Sequence, residues 1–182
     1  MVGLVAAICE NDQINSYFAH GCMERTNFMV NYVFRMPYTE ATMLEVLRKG
    51  SIVPLGLFHK SINEFEYKGF TIPNDIIFLS NTYAVHHDPE YWEKPYEFRP
   101  QRFITATGEF RKDERVIPFS VGKKSCPGEK LAMIQFFLFL TGLLQKFEFT
   151  LNPNEPVPCL DMKAGFVIPP PPHKLILKDR RN

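Results

Sequence analysis

Cysteine is scarce in this sequence, and what there is lies badly for metal binding. Four stand at Cys9, Cys22, Cys126 and Cys159. None forms a C-x-x-C pair, and no cysteine–histidine group has zinc spacing. So few in 182 residues also argue against a disulfide framework, which points to a reducing compartment with one cysteine free for special use. Charge of one sign is lacking too: 21 basic against 20 acidic residues give a net +1. No bulk field draws nucleic acid, and no nucleic-acid-binding signature is present. Long apolar runs are missing. Met1 to Cys9 falls far short of the ~20 residues that cross a bilayer and lacks the basic start and cleavage site of a signal peptide. The longest run, Leu131 to Leu144, is broken by Gln135. There is no internal repeat.

Aromatic residues are plentiful, 14% of the chain with 17 Phe. They suit a core built around something large and flat, and equally a plain Phe-rich core. Residues 1–34 alternate short apolar patches with Asn, Asp, Glu and Gly and carry no assignable element. Pro37 opens a helix, being tolerated in a first turn. The helix runs to Arg48 with Gly50 as its stop. Ser51 to Leu57 reads as extended and proline-bent. Phe65 to Phe70 and Thr71 to Leu79, with turn signals at Gly69 and Pro73-Asn74, predict a small antiparallel sheet. His86 to Trp92 reads as a turn leading into one helical turn, capped by His86 and His87. Residues 95–118 read as a long ordered meander. Lys130 to Lys146 is apolar nearly all round and predicts a helix buried on most sides. The tail, residues 150–182, holds seven prolines and reads as a hairpin or edge strands.

The run from Phe119 to Glu129 carries the strongest chemical signal. Cys126 sits in a glycine-bracketed loop directly before the buried helix, with Lys123 and Lys124 just upstream. Backbone N–H groups at a helix start and nearby cations stabilise an anionic sulfur. The glycines permit turns that a side chain would block, and Phe119 can cover the sulfur. Such a cysteine suits an axial ligand of haem iron. The loop by itself also suits an anion-binding nest, a reactive cysteine or a buried structural one.

This run resembles the F-x-x-G-x-[RK]-x-C-x-G haem loop of the cytochrome P450 family, with Phe119, Gly122, Lys124, Cys126 and Gly128 in register. The resemblance implies a haem b (iron protoporphyrin IX) cofactor with Cys126 as iron ligand. Gly128 and its neighbours would let backbone N–H groups reach the sulfur. Lys124 would stand in for an arginine at a haem propionate, as a point charge in place of a fork. Two further runs agree. Glu45 and Arg48 form an E-x-x-R on one helix face, a pattern that alone also fits a surface ion pair worth about 0–1 kcal/mol. Phe98-Arg99-Pro100-Gln101-Arg102-Phe103 resembles the family's P-E-R-F segment, with Gln101 in place of glutamate. The likeness implies a structural Glu45–Arg48–Arg102 network beneath the haem loop. It also implies a propionate contact at His59 and substrate-facing segments at Val53, Leu55, Leu57 and Phe58 and at Phe166, Val167 and Ile168, although plain core packing suits these segments equally. Phe136, Phe137 and Phe139 read as core.

The expected fold is therefore mainly α with a small antiparallel β-sheet (α+β): the C-terminal part of the cytochrome P450 fold, over residues 35–182. It looks closest to the microsomal members. That implies a monooxygenase inserting oxygen into a small lipophilic substrate, residence on the cytosolic side of the endoplasmic reticulum membrane, and electrons from an NADPH-dependent flavoprotein reductase. The reductase would dock on the basic face of Arg111, Lys112, Arg115, Lys123, Lys124 and Lys130, which also reads as an ordinary solvated face. The family's acid–threonine run over the distal side of the haem is missing; Gly21 to Thr26 has the residue types in the wrong order. The expectation is a truncated chain with little turnover of its own, the alternative being an inactive haem- or partner-binding remnant.

Overall fold

A computed structural model describes residues 36–154, 165–170 and 172–180. Residues 1–34, the Gly21–Thr26 run and Cys9, Cys22 and Cys159 lie outside the described residues. Helix α1, Pro37–Gly50, starts at its proline, with Glu40 in the first turn and Arg48 and Lys49 in the last, charges that complement the helix dipole. The sequence places the stop at Gly50, but the left-handed residue is Ser51 (φ 32°). Ser51 holds that conformation through its own bonds: its N–H donates to Leu47 O (3.2 Å) and its Oγ to Arg48 O (2.9 Å).

Where one small sheet is predicted, the described residues form two separate antiparallel pairs, and a third pair, further along, includes the tail. β1 (His59–Lys60) pairs with β4 (Ile77–Phe78), and β2 (Phe65–Tyr67) pairs with β3 (Phe70–Ile72). The β2–β3 turn falls on Lys68 (φ 50°) and Gly69 (φ 81°), the left-handed geometry of a tight hairpin. Beyond β3, Pro73 has no N–H for a ladder. Its carbonyl accepts instead from Ser61 Oγ at 2.9 Å, and the chain turns out of one pair and into the next.

Helix α2, Thr82–His87, precedes the His-Asp-Pro turn, reversing the expected order. Asn81 Oδ1 caps it, accepting from Ala84 N–H at 3.0 Å. Pro89 disfavours helix at Asp88, and Asp88 adopts extended backbone. The meander follows, with a 3-10 turn at Pro100–Phe103 and a bridge between Ile104 and Phe110.

Helix α3, Glu129–Lys146, continues straight into β5 (Phe147–Leu151), which pairs with β6 (Leu175–Asp179). Leu175–Asp179 of the proline-rich tail is thus a strand, as expected. Helix α1 divides two cores. Met43 packs with Phe137, Leu140, Leu144 and Phe149; Ala41 and Leu44 pack with Trp92, Phe103 and Val116. Fully burying the Val, Leu, Met and Phe side chains among them contributes about 1.5–3 kcal/mol each. The burial on most sides expected of α3 is not seen among the described residues: Leu131, Leu138 and Phe139 are exposed. The described chain covers one side of this helix, and part of the other side lines a cavity. No helix among the described residues is long and apolar enough to cross a membrane.

Candidate haem site

Glu45 and Arg48 lie one turn apart on α1, and both are fully buried. Arg48 Nε donates to Glu45 Oε2 at 2.7 Å and Nη2 to Oε1 at 2.9 Å, the paired geometry in which a guanidinium binds a carboxylate most strongly. Arg102, delivered by the Pro100–Phe103 turn, donates from Nε to Glu45 Oε1 at 3.1 Å, and Arg99 N–H donates to the same oxygen at 2.9 Å. Arg48 also donates to His86 O (2.5 Å) and Pro95 O (2.9 Å), while Arg102 reaches Glu93 O (3.2 Å). Both guanidinium groups lie over Trp92, at 5.2 and 5.7 Å from its centroid. One carboxylate thus gathers α1 and the meander. Gln101 sits outside this cluster and donates to Tyr38 Oη at 3.1 Å.

The cysteine loop lies on the other side. Ser120 (φ 65°) and Gly122 (φ 74°) take left-handed backbone, which glycine adopts at no steric cost. Gly122–Lys124 forms a 3-10 turn closed by Ser125 N–H on Gly122 O (3.1 Å), and Cys126 N–H donates to Phe119 O at 2.8 Å. Gly128 has ordinary backbone (φ −87°), so the turn does not demand glycine there. Its value is spatial: a Cβ would stand 3.7 Å from Cys126 Sγ and cover one side of the sulfur. Cys126 is itself exposed, so Phe119 stands on the wall beside it without sealing it from water.

Cys126, Phe119 and Lys124 line a cavity of about 730 Å³ together with His59 of β1, within the usual size range of ligand and cofactor sites. Of the proposed substrate-facing residues, Val53 and Leu57 line it, and Leu55 and Phe58 do not. Phe58 instead stacks on Phe166, centroids 6.0 Å apart, and Ile168 N–H donates to Ile52 O at 2.8 Å, so the two segments adjoin; Val167 is exposed there. The Phe stripe of α3 divides: Phe137 is core, while Phe136 and Phe139 join the cavity wall. This follows from helical periodicity, since residues 136 and 139 share a face that 137 does not.

Two contributors are not apparent from sequence. Gly56, also on the cavity wall, has φ 62°, and a Cβ would collide with Ser80 Oγ. His86 is wholly buried, against its expected role as a turn cap. Its Nε2 accepts from Ile117 N–H at 2.9 Å and its Nδ1 meets Ser51 Oγ at 2.9 Å. Burial first, then His87 and Arg48, lower its pKa from 6.5 to about 4. The basic residues near the loop are partly answered by acids: Lys112 faces Glu129 at 3.8 Å and Arg115 faces Asp88 at 3.5 Å. Lys112 and Lys130 line a second cavity of about 790 Å³ that Glu40 also lines.

These residues fit a haem. A thiol stands uncovered on an apolar wall, with Lys124 and His59 on the same cavity as candidate partners for carboxylates. Comparison with known proteins bears on the family. Cytochrome P450 2U1 of Bos taurus is 43% identical over 146 residues, 80% of this chain and 27% of the relative. Cytochrome P450 2D6 of Homo sapiens is 42% identical over 140 residues, 77% of this chain and 28% of the relative. Cytochrome P450 18a1 of Drosophila melanogaster is 44% identical over 147 residues, 80% and 27% respectively. The chain spans about 27–28% of the length of these relatives. The cytochrome P450 family model matches residues 22–177, well over half of the sequence, and the chain belongs to that family.

Proposed function

We propose that this chain is the haem-thiolate part of a monooxygenase, with Cys126 as the iron ligand. The observation that carries this reading is the uncovered Cys126 on an apolar cavity shared with Lys124 and His59. When bound, haem b would supply the oxygen-activating redox chemistry, with Cys126 holding its iron. Cys126 presents its sulfur from a loop closed by its own backbone. Gly128 keeps one side of that sulfur clear. Phe119, Phe136 and Phe139 offer apolar surface to a flat ring, and Lys124 and His59 serve as partners for its propionates. Val53, Leu57 and the adjoining Phe58–Phe166 pair form the side that would meet a small lipophilic substrate. The Glu45–Arg48–Arg102 network fixes the floor and takes no chemical part.

Electrons come, in this reading, from an NADPH-dependent flavoprotein reductase on the face bearing Lys123, Lys124 and Lys130, and the protein works at the cytosolic side of the endoplasmic reticulum membrane. Kinship supports both points, and loop charge supports the first. The test is reconstitution of the folded chain with haem, then product formation from a lipophilic substrate with NADPH and reductase. Haem uptake with NADPH-dependent product supports the monooxygenase. Uptake with a thiolate-type spectrum and no product supports the haem-binding remnant instead.

A further inference from the structure

The bonds of Arg48, Glu45 and Arg102 end on α1 and on residues 86–99. None of them reaches residues 117–128. The cysteine loop's own 3-10 turn buries no side chain, so packing of that turn does not tie it to α1. His86 spans that gap. Its carbonyl accepts from Arg48 Nη1, and its ring reaches the loop.

The donors fix the direction of the chain of bonds. A backbone N–H only donates, so Nε2 is the acceptor of the Ile117 bond and the ring carries its proton on Nδ1. Nδ1–H then donates to Ser51 Oγ (2.9 Å), and Ser51 Oγ donates to Arg48 O (2.9 Å). Every bond from the end of α1 to Ile117 is therefore satisfied by a neutral imidazole in a single tautomer. Beyond Ile117 the path is short. Ile117 O accepts from Ser120 N–H at 3.1 Å, closing the turn that holds Phe119, and Phe119 O accepts from Cys126 N–H at 2.8 Å. Ser120 sits in that turn at φ 65°, uncommon backbone for a residue with a side chain.

We propose that His86 is a positioning residue for the cysteine loop, carrying the register of α1 through Ile117 to Phe119 and Cys126. The proposal rests on the reading of Cys126 as iron ligand. It assigns no contact between His86 and cofactor or substrate. A glutamine, whose amide oxygen can accept near the Nε2 position, keeps the bond to Ile117; a leucine of similar bulk does not.

The test uses the full chain as wild type, His86→Leu and His86→Gln, with two readouts. Amide hydrogen exchange in the haem-free chain is expected to rise at least tenfold at Ile117 and Cys126 in His86→Leu. It should stay near wild type in His86→Gln, with the β2–β3 hairpin unchanged in both. After haem loading and reduction, the fraction of haem-bound protein giving a thiolate-type carbon monoxide band should fall several-fold in His86→Leu and recover in His86→Gln. A merely structural role would lower the yield of folded protein and leave that fraction unchanged. An unchanged fraction, or unchanged loop exchange, overturns the proposal. Wild type that binds haem without the thiolate band defeats the Cys126 reading itself, which the exchange data separate from any failure of His86 to hold the loop. Should His86→Leu fail to fold, Ser51→Ala removes the opposite anchor of the ring. It is expected to shift both readouts in the same direction by a smaller factor, and no shift in either overturns the proposal.

Discussion

Arg48 and Lys124 are both cations of one small fold, yet the first is sealed and the second stands open. Around Arg48 each guanidinium nitrogen has a fixed oxygen, and the matching carboxylate accepts from two guanidinium groups and a backbone N–H. Around Cys126 and Lys124 the loop is held by its own backbone and by His86 from behind, and its side chains face a cavity. A buried network of this kind is costly to break, because the partner left behind is a charge without water. An open face costs little to alter and is where a ligand meets the protein. The first region keeps geometry and the second uses it.

Removing the sealed cation should give the largest effect. Arg48→Leu leaves buried Glu45 with only Arg102 and the Arg99 N–H and is expected to destabilise the fold by about 3 kcal/mol or more, measured by urea denaturation. Acid should attack the link between the regions next. The His86 pKa is depressed from 6.5 to about 4 in the folded chain, so the unfolded chain binds the extra proton first. Its contribution is complete above pH 6.5 and is lost as pH falls through about 4, on the order of 3 kcal/mol in all. Stability measured between pH 7 and pH 4 should therefore fall less steeply in His86→Gln than in wild type.

Glu40 works in the opposite sense. Burial raises its pKa from 4.5 to about 7, and its Oε1 is buried without a partner. The folded chain prefers the protonated acid, so this group costs stability as pH rises from 4.5 through 7. Glu40→Gln is expected to raise the melting temperature at pH 8 and to change it little at pH 4. On the open face, Lys124→Ala should shift stability by no more than about 0.5 kcal/mol while weakening haem uptake in a spectroscopic titration.

Much of this was legible in the chain because it depends on local spacing. E-x-x-R puts two side chains on one face of a helix, Pro37 marks a start, and the five fixed positions from Phe119 to Gly128 announce the loop. What sequence did not disclose depends on neighbours distant in the chain. His86 looked like a turn cap because its two partners, Ser51 and Ile117, lie 35 and 31 residues away. Gly56 drew no reading of its own because the group that excludes a side chain there is the distant Ser80. The faces of α3 were misjudged because an apolar helix has no polar side to announce which face meets a cavity. The sheet divided into pairs where Ser61 captured the Pro73 carbonyl, a bond that strand periodicity does not encode.

The most direct measurement is the carbon monoxide difference spectrum of the reduced, haem-loaded chain, taken on wild type and on Cys126→Ala. The expected result is a thiolate-type Soret band in wild type, retained in Cys159→Ala and lost in Cys126→Ala while the fold is kept. The same band surviving in Cys126→Ala, or missing from folded, haem-replete wild type, would contradict the assignment of Cys126 as the iron ligand.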